Sequence, residues 1–529
     1  MNRRQFLRTV GWGVVSTPVL LTLLTSCAGP GAGQPPRTSP GRPSPTPKRP
    51  PNEADWNALK QALSGGLLRP GDSGYDSARL LYNQQFDSVR PAALARCRAE
   101  ADVQSTLSFA GRFAVGLAVR SGGHSYAGYS TGEGLVLDLS SLNSVNVDAA
   151  QNTATIEPGA TLIDAYAKLA STGLALPGGS CPTVGVAGLA LGGGVGVLGR
   201  KYGLLCDNLL SARVVTADGR VLNCDASHEP DLFWALRGGG GGNFGVVTSF
   251  TFRVFRQASV ATLYLEWPWS LAGQVVTAWQ SWAPGAPDEL WSNCVLGAKA
   301  EKGAAPSVSV SGVYCGGSSA LNPLAADLVR RIAAPPTARS LADRQLLPAM
   351  LLEAGCFGKT VEQCQLADDS AQGTLKREAF SARSDYFNRP LPQAGVDLLV
   401  GAITRRQADP ALAAAGIGLD AYGGAINRMA PEATAFVHRT ASFSAQYDAY
   451  WPASAGSAGL AANRRWLGDL WQSLRPYTSG KAYQNYIDPE LSDWSNAYYG
   501  ANLARLRKVK AAYDPNGLFR FSQAIPAPG

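Results

Sequence analysis

Histidine is scarce in this chain of 529 residues: there are three, His124, His228 and His438. No Cys-x-x-Cys pair occurs, and no histidine and cysteine cluster has zinc spacing, which argues against a metal centre. Charged residues make up only 16% of the chain, and no basic stretch is interleaved with aromatics as a nucleic-acid surface would be. The net charge of +8 sits mostly outside the body, with Arg3, Arg4 and Arg8 near the start and Arg37, Arg42, Lys48 and Arg49 in the next tract. The remaining chain is close to neutral. There is no unbroken apolar run of about 20 residues to cross a bilayer. Neither RSGGHSYAGYS nor CPTVGVAGLALGGGVG has the G-x-G-x-x-G spacing that opens a dinucleotide-binding helix, so the classical Rossmann reading fails.

Glycine, by contrast, is abundant, with 59 residues, some of them gathered into runs. Residues 120–130, RSGGHSYAGYS, follow the apolar run FAVGLAVR, which reads as a strand. Paired glycines there let backbone N–H groups crowd around an anion. His124 lies inside that loop, beside whatever the loop binds. The second run, CPTVGVAGLALGGGVG, begins at Cys181. On spacing alone, His124 reads equally as a hydrogen-bonded turn residue and Cys181 as a small buried hydrophobe. A third run, Gly238 to Gly242, follows DLFWALR, which reads as a helix capped by Asp231. Five bare residues in a folded body suit close approach of backbone to a ligand.

Taken together, RSGGHSYAGYS, GGSCPTVGVAGLALGGGVG, RKYGL, RGGGGGNFGVVT, YQNYID, YYGAN and YDPNGLF resemble the berberine-bridge-enzyme-like flavoproteins. That family includes the bacterial oligosaccharide oxidases. The motifs run in order from about Asn83 to the C-terminus. The resemblance implies a PCMH-type FAD-binding domain whose FAD is held covalently through both His124 and Cys181. It assigns cofactor contacts to Arg120, Ser121, Gly122, Gly123, Ser125 and Gly128 in the first motif. In the second motif the contacts are Ser180, Val184, Gly188, Gly192, Gly193, Gly194 and Gly196. Gly242, Asn243, Gly245 and Val247 in the third, with Tyr499 and Asn502 near the end, complete the set. Tyr486 is the implied catalytic base, a tyrosinate taking the substrate hydroxyl proton while hydride passes to flavin N5. A tyrosine titrates near pKa ~10, so each unit of depression requires about 1.4 kcal/mol of preferential stabilisation of the anion. Val184 stands where valine accompanies reaction of reduced flavin with O2, which implies an oxidase releasing H2O2. Val195 departs from several relatives, which carry a second tyrosine or other polar group there, so a two-tyrosine mechanism is not expected. Gln446, on one face of an alternating strand, and Tyr483 are the expected substrate contacts.

In chain order, residues 1–27 carry a twin-arginine pattern, NRRQFL, an apolar stretch and LTSC. This reads as an export signal of lipoprotein type with Cys27 as the lipid anchor, placing the protein in the periplasm or on the cell surface. Residues 28–55 are rich in Pro, Gly, Ser and Thr and read as a tether. Residues 56–254 have mixed α+β character and form the FAD-binding domain, with Asp218-Gly219 marking a hairpin. Residues 255–480 read as an antiparallel sheet backed by helices, the substrate domain, with SVSVSGVY, ATAFVHRTASFSAQYDAYW and DLLVGAI among its strands. Residues 481–529 return to the FAD domain. Trp267, Trp269, Trp451 and Trp471 read as core more than as sugar platforms. Among nine cysteines, Cys356 and Cys364 are the best-placed disulfide pair for an oxidising compartment.

The expected function is oxidation of a hydroxyl on a sugar, oligosaccharide or glycosylated metabolite with O2 as acceptor. A dehydrogenase serving a quinone or protein acceptor is the enzymatic alternative. A non-catalytic carbohydrate-binding lipoprotein is the alternative of another class.

Overall fold

The computed structural model describes residues 48–301, 303–368, 370–409 and 412–527. The leader, Cys27 and the tether as far as residue 47 lie outside the described residues. Folded chain begins within the stretch read as tether. The helix Glu53–Ala62 starts from a capping box at Asn52, whose side chain accepts from Asp55 N–H. It buries Trp56 and Leu59.

Two sheets build the first lobe. A four-stranded sheet runs in the order Leu67–Leu68, Ala93–Arg96, Leu135–Asp138, Leu117–Arg120. Its last three strands are parallel, and the parallel connection requires a crossover, which the helix Glu100–Arg112 supplies. Leu135, Val136 and Leu137 are fully buried, as expected of a strand covered on both faces. The second sheet is antiparallel, in the order Val145–Asp148, Thr153–Ile156, Val246–Arg253, Leu209–Val215, Val221–Cys224. Asp218-Gly219 does turn the last hairpin, with Val215 opposite Val221 and Gly219 at φ 81°.

The second lobe is a seven-stranded antiparallel sheet. Its order is Ala338–Gln345, Ser259–Trp267, Ser307–Tyr314, Leu290–Ala298, Ala415–Ala421, Phe443–Trp451, Ala379–Phe387. The helices Ala272–Trp282, Ser318–Ile332, Gln393–Ala408 and Gly456–Leu474 share one apolar core with it. Phe255–Arg256 pairs with Leu174–Ala175 of the first lobe, so the second lobe's sheet starts at Ser259.

Three local readings are corrected. DLLVGAI belongs to the helix Gln393–Ala408, not to a strand: Val396, Leu399, Ala402 and Ile403 bury one stripe at helical spacing. The strand read from ATAFVHR onward begins only at Phe443. Its earlier part is irregular because Arg439 is drawn inward to Asp207 at 2.6 Å, with Thr434 also accepting from it. Asp231 is not a cap. The helix Pro230–Ala235 starts from Glu229 in a left-handed conformation with proline in its first turn, and Asp231 instead pairs with Arg505 at 2.6 Å.

Trp267 and Trp451 are core residues, and Trp471 is sandwiched by the guanidinium groups of Arg383 and Arg475. Trp269 donates to Thr404 Oγ1. Cys356 and Cys364 form a disulfide with Cα atoms 5.7 Å apart. Cys97, Cys206, Cys224, Cys294 and Cys315 are buried free thiols, while Cys181 is partly exposed. The last segment packs back on the first lobe, where buried Lys510 donates to Asn243 O at 2.7 Å and to Phe519 O at 2.8 Å. Among the described residues no helix is long and apolar enough to cross a membrane, and no group of His, Cys, Asp and Glu could hold a metal.

Candidate active site

A long cavity lies between the lobes. At one end it is lined by Leu117, Leu139, Val246 and Phe519, and at the other by Tyr126, Gln446 and Tyr486, with His124 and Cys181 also in its wall. The glycine runs form that wall by bringing bare backbone together. A Cβ on Gly122 would lie 2.2 Å from Gly185 N, and one on Gly185 would lie 2.4 Å from Gly122 N, so neither position tolerates a side chain. Gly123 and Gly242 have φ of 66° and 71°, the left-handed region.

His124 leaves the strand Leu117–Arg120 on this loop. Its Nε2 is 2.9 Å from Thr183 Oγ1, and its ring stacks on Tyr82 with centroids 4.2 Å apart. Thr183 is two residues beyond Cys181, so one hydrogen bond ties the histidine loop to the cysteine loop. Ser121, Ser125, Ser180, Val184, Gly188, Gly245 and Val247 line the same cavity.

Other expected cofactor residues stand behind the wall and brace it. Arg120 is buried against Asp138, 3.2 Å away, and is not directed to a ligand. Gly128 packs on Phe86. Gly192 gives way to Asn485, Gly193 and Gly194 have positive φ against Phe436 and Leu205, and Gly196 crosses the Gly178 carbonyl. Asn243 donates to the carbonyls of Gly239, Gly240 and Gly241 and accepts from Ile525 N–H, which fixes the glycine run. Tyr499 OH donates to Gly239 O, and Asn502 donates to the carbonyls of Pro431 and Thr434.

Tyr486 sits on a turn, with its N–H donating to Tyr483 O at 2.9 Å. Its ring lies parallel to Tyr126, with centroids 5.6 Å apart and planes at 11°, and meets Tyr483 edge-on at 4.9 Å. Tyr483 lines the cavity, yet its hydroxyl accepts from Gly194 N–H and from Asn485 Nδ2, both at 2.9 Å. Burial pushes its phenol up to about 12. It supports the site more than it offers a substrate contact. Gln446 Nε2 donates to Tyr126 OH at 3.0 Å.

Several lining residues escaped the sequence reading. Asp448 and Tyr450 follow Gln446 at alternate positions on one face of the strand Phe443–Trp451, a signal already present in SFSAQYDAYW. Tyr126, two residues beyond His124, lines the cavity beside Tyr486. Tyr82, Glu353 and Glu378 carry no motif and are brought in only by folding.

The wall suits a long polar cofactor. Ser130 lines the cavity, and its buried Oγ has no hydrogen-bond partner among the described residues. Bare backbone at Gly241 and Gly242 adds further room. These features fit FAD, a ligand with several acceptors and donors along its length.

Residues 91–225 match the FAD binding domain family, and residues 482–526 match the family described as berberine and berberine like. The chain is 32% identical over 472 residues to the FAD-linked oxidoreductase YgaK of Bacillus subtilis, covering 88% of this chain and 98% of that one. Physcomitrella patens BBE-like 1 superposes with a TM-score of 0.79 at 32% identity, over 89% of this chain and 99% of the other. A chitooligosaccharide oxidase superposes with a TM-score of 0.78 at 28% identity, over 90% and 100%. With the fold, the cofactor wall and these likenesses in agreement, the chain belongs to the berberine-bridge-enzyme-like FAD-linked oxidoreductases.

Proposed function

We propose that this enzyme is an exported oxidase that holds FAD through both His124 and Cys181 and oxidises a hydroxyl of a sugar, an oligosaccharide or a glycosylated metabolite. The convergence of His124, Cys181 and Tyr486 on one cavity carries the reading. Bound FAD supplies the two-electron acceptor for a carbon-bound hydrogen and passes the electrons on to O2, with H2O2 as product.

The chain's own part is attachment, orientation and proton transfer. The hydrogen bond between His124 Nε2 and Thr183 Oγ1 holds the imidazole beside the loop of Cys181, which supports attachment through both residues. Tyr486 takes the substrate hydroxyl proton. Gln446 Nε2 donates to the Tyr126 oxygen and the Tyr126 ring lies parallel to Tyr486, so this pair of tyrosines frames the place of the substrate hydroxyl. Val184, in the same cavity wall, is the residue whose place in the family's motif supports reaction with O2. A chitooligosaccharide oxidase among the structural relatives supports an oligosaccharide as substrate. The twin-arginine leader supports export, and the Cys356–Cys364 disulfide suits an oxidising compartment. Cys27 is the proposed lipid anchor.

Acid denaturation of the purified protein, followed by intact mass and visible spectrum, tests the attachment. Flavin stays with wild type and with each of His124→Ala and Cys181→Ala, and leaves only the double variant. Flavin released from wild type defeats the covalent reading. Oxygen uptake on a sugar panel tests the oxidase reading, and turnover with a quinone but not with O2 would replace it by the dehydrogenase.

A further inference from the structure

The strand Ala338–Gln345 is one edge of the seven-stranded sheet, and Ala379–Phe387 is the other. The chain between them must therefore cross the whole sheet. It does so through the helix Leu346–Glu353 and then a long stretch with little regular structure, a length that in compact domains usually marks function. Cys356–Cys364 staples its middle.

This crossover is stitched to the first lobe beside the histidine loop. Gln84 N–H donates to Glu378 O and Glu378 N–H to Tyr82 O, at 2.9 and 3.2 Å. Arg377 Nε donates to Leu81 O at 2.6 Å, and its other nitrogen is used by Asp87. Gln365 Nε2 donates to Asp164 Oδ1 at 2.9 Å on the helix Leu162–Ala170. Both disulfide sulfurs belong to a small apolar cluster with Tyr82, Ile163 and Phe380.

The crossover brings acidic groups to the cavity. Glu353 and Glu378 line it, both partly exposed, alongside buried Asp448. Glu378 also accepts from Tyr82 OH at 2.7 Å, and Tyr82 stacks on His124, which places this carboxyl two contacts from the attachment point. Burial first, then Asp448 and Glu378, push the Tyr450 phenol upward, so these carboxyls gather around one ring. Among the described residues, the lysines and arginines of the cavity lining reduce to Arg520, which is held by Gly517 O and Asn516 O beside Phe519.

We propose that the disulfide-stapled crossover 346–378 is the charge selector of the substrate site, holding the Glu353 and Glu378 carboxyls there so that uncharged or ammonium-bearing alcohols enter and carboxylate-bearing ones are rejected. This rests on the alcohol-oxidising reading above for what the substrate is, but not for the field at the cavity. Like charges in a low-dielectric cleft are repelled, and salt weakens the effect.

Sulfite, an anion that bleaches flavin on binding, probes that field in the holoenzyme without any substrate. Glu353→Gln and Glu378→Gln each raise its association rate about threefold at low salt, and the difference shrinks at high salt. Asp327→Asn, a half-buried position on the helix Ser318–Ile332 outside the cavity lining, leaves the rate as in wild type. Cys356→Ser combined with Cys364→Ser raises it as the glutamine variants do. Rates in both glutamine variants equal to that of Asp327→Asn overturn the proposal, whatever the serine variant does. Once a neutral sugar is turned over, the matching uronic acid has a kcat/KM lower by about tenfold or more, and the glutamine variants narrow that ratio; equal rates for the two sugars also overturn it. If sulfite behaves as expected while no alcohol is oxidised, the proposed function fails and the selector stands. Alcohol oxidation with sulfite indifferent to both glutamates means the reverse.

Discussion

The two walls of the cavity are made in opposite ways. The wall bearing His124 and Cys181 is defined by side chains that are missing: Gly122 and Gly185 pass so closely that a Cβ on one would lie 2.2 Å from the other's nitrogen. The facing wall, on the strand Phe443–Trp451 and the crossover, is defined by side chains that are present, namely Gln446, Asp448, Tyr450, Glu353 and Glu378. A wall of bare backbone fails all at once when it is changed. A wall of side chains can be changed one group at a time, so it is where specificity varies without loss of the cofactor.

The sharpest way to break this contrast is Gly122→Ala. The clash is backbone against backbone, and overpacking of this kind costs roughly 1–3 kcal/mol or more. The expected result is protein with little or no flavin, read from the ratio of visible to ultraviolet absorbance. A normally flavinylated variant would show that the loops can separate. Tyr486→Phe, at the junction of the two walls, keeps the flavin spectrum and lowers kcat by roughly 10²- to 10⁴-fold, the usual scale for losing a general base. A loss in KM alone would remove Tyr486 from proton transfer. Gln446→Ala, wholly on the side-chain wall, removes one hydrogen bond to Tyr126 and lowers kcat/KM about tenfold, with flavin content unchanged. Loss of flavin in that variant would mean that the two walls are not separable.

The smallest effect concerns stability alone. His438 is buried, stacked on Tyr386, and burial followed by the nearby Lys481 pushes its imidazole down to about 3. A depressed folded-state value favours the neutral ring. The corresponding stability is complete above the unfolded value near 6.5 and is lost as pH falls toward 3. Between pH 7 and pH 5 this group weakens the fold by about 2 kcal/mol. His438→Phe therefore flattens denaturant-midpoint stability across that window. An unchanged pH slope would place the loss elsewhere.

What was legible in the sequence follows from the same contrast. Glycine runs around a single histidine and a single cysteine are local, contiguous signals, because each loop must carry its own bare backbone. Tyr486 was named through the resemblance of YQNYID to the family's motif and not by any local physical signal. Gln446 could be placed on a strand face by alternation, and Asp448 and Tyr450 were available by continuing the count. Tyr126 was missed although it lies inside the first motif, because nothing local reveals that it lies parallel to a residue 360 positions later. The helix Gln393–Ala408 was misread because a short apolar run does not distinguish a buried strand from a buried helix until its packing partners are known.

By itself, then, the sequence determined the glycine-rich loops that bear His124 and Cys181 and the mixed character of the first lobe, all of which depend on neighbours along the chain. Only the tertiary structure decided which expected cofactor residues face the cavity and which brace it from behind, as Arg120, Asn243, Tyr499 and Asn502 do. It also decided that a crossover from one sheet edge to the other delivers Glu353 and Glu378 to the cavity. The reason is physical: backbone approach is written in consecutive residues, whereas a cavity's charge is a sum over groups brought close by a sheet whose strand order is not the order of the chain.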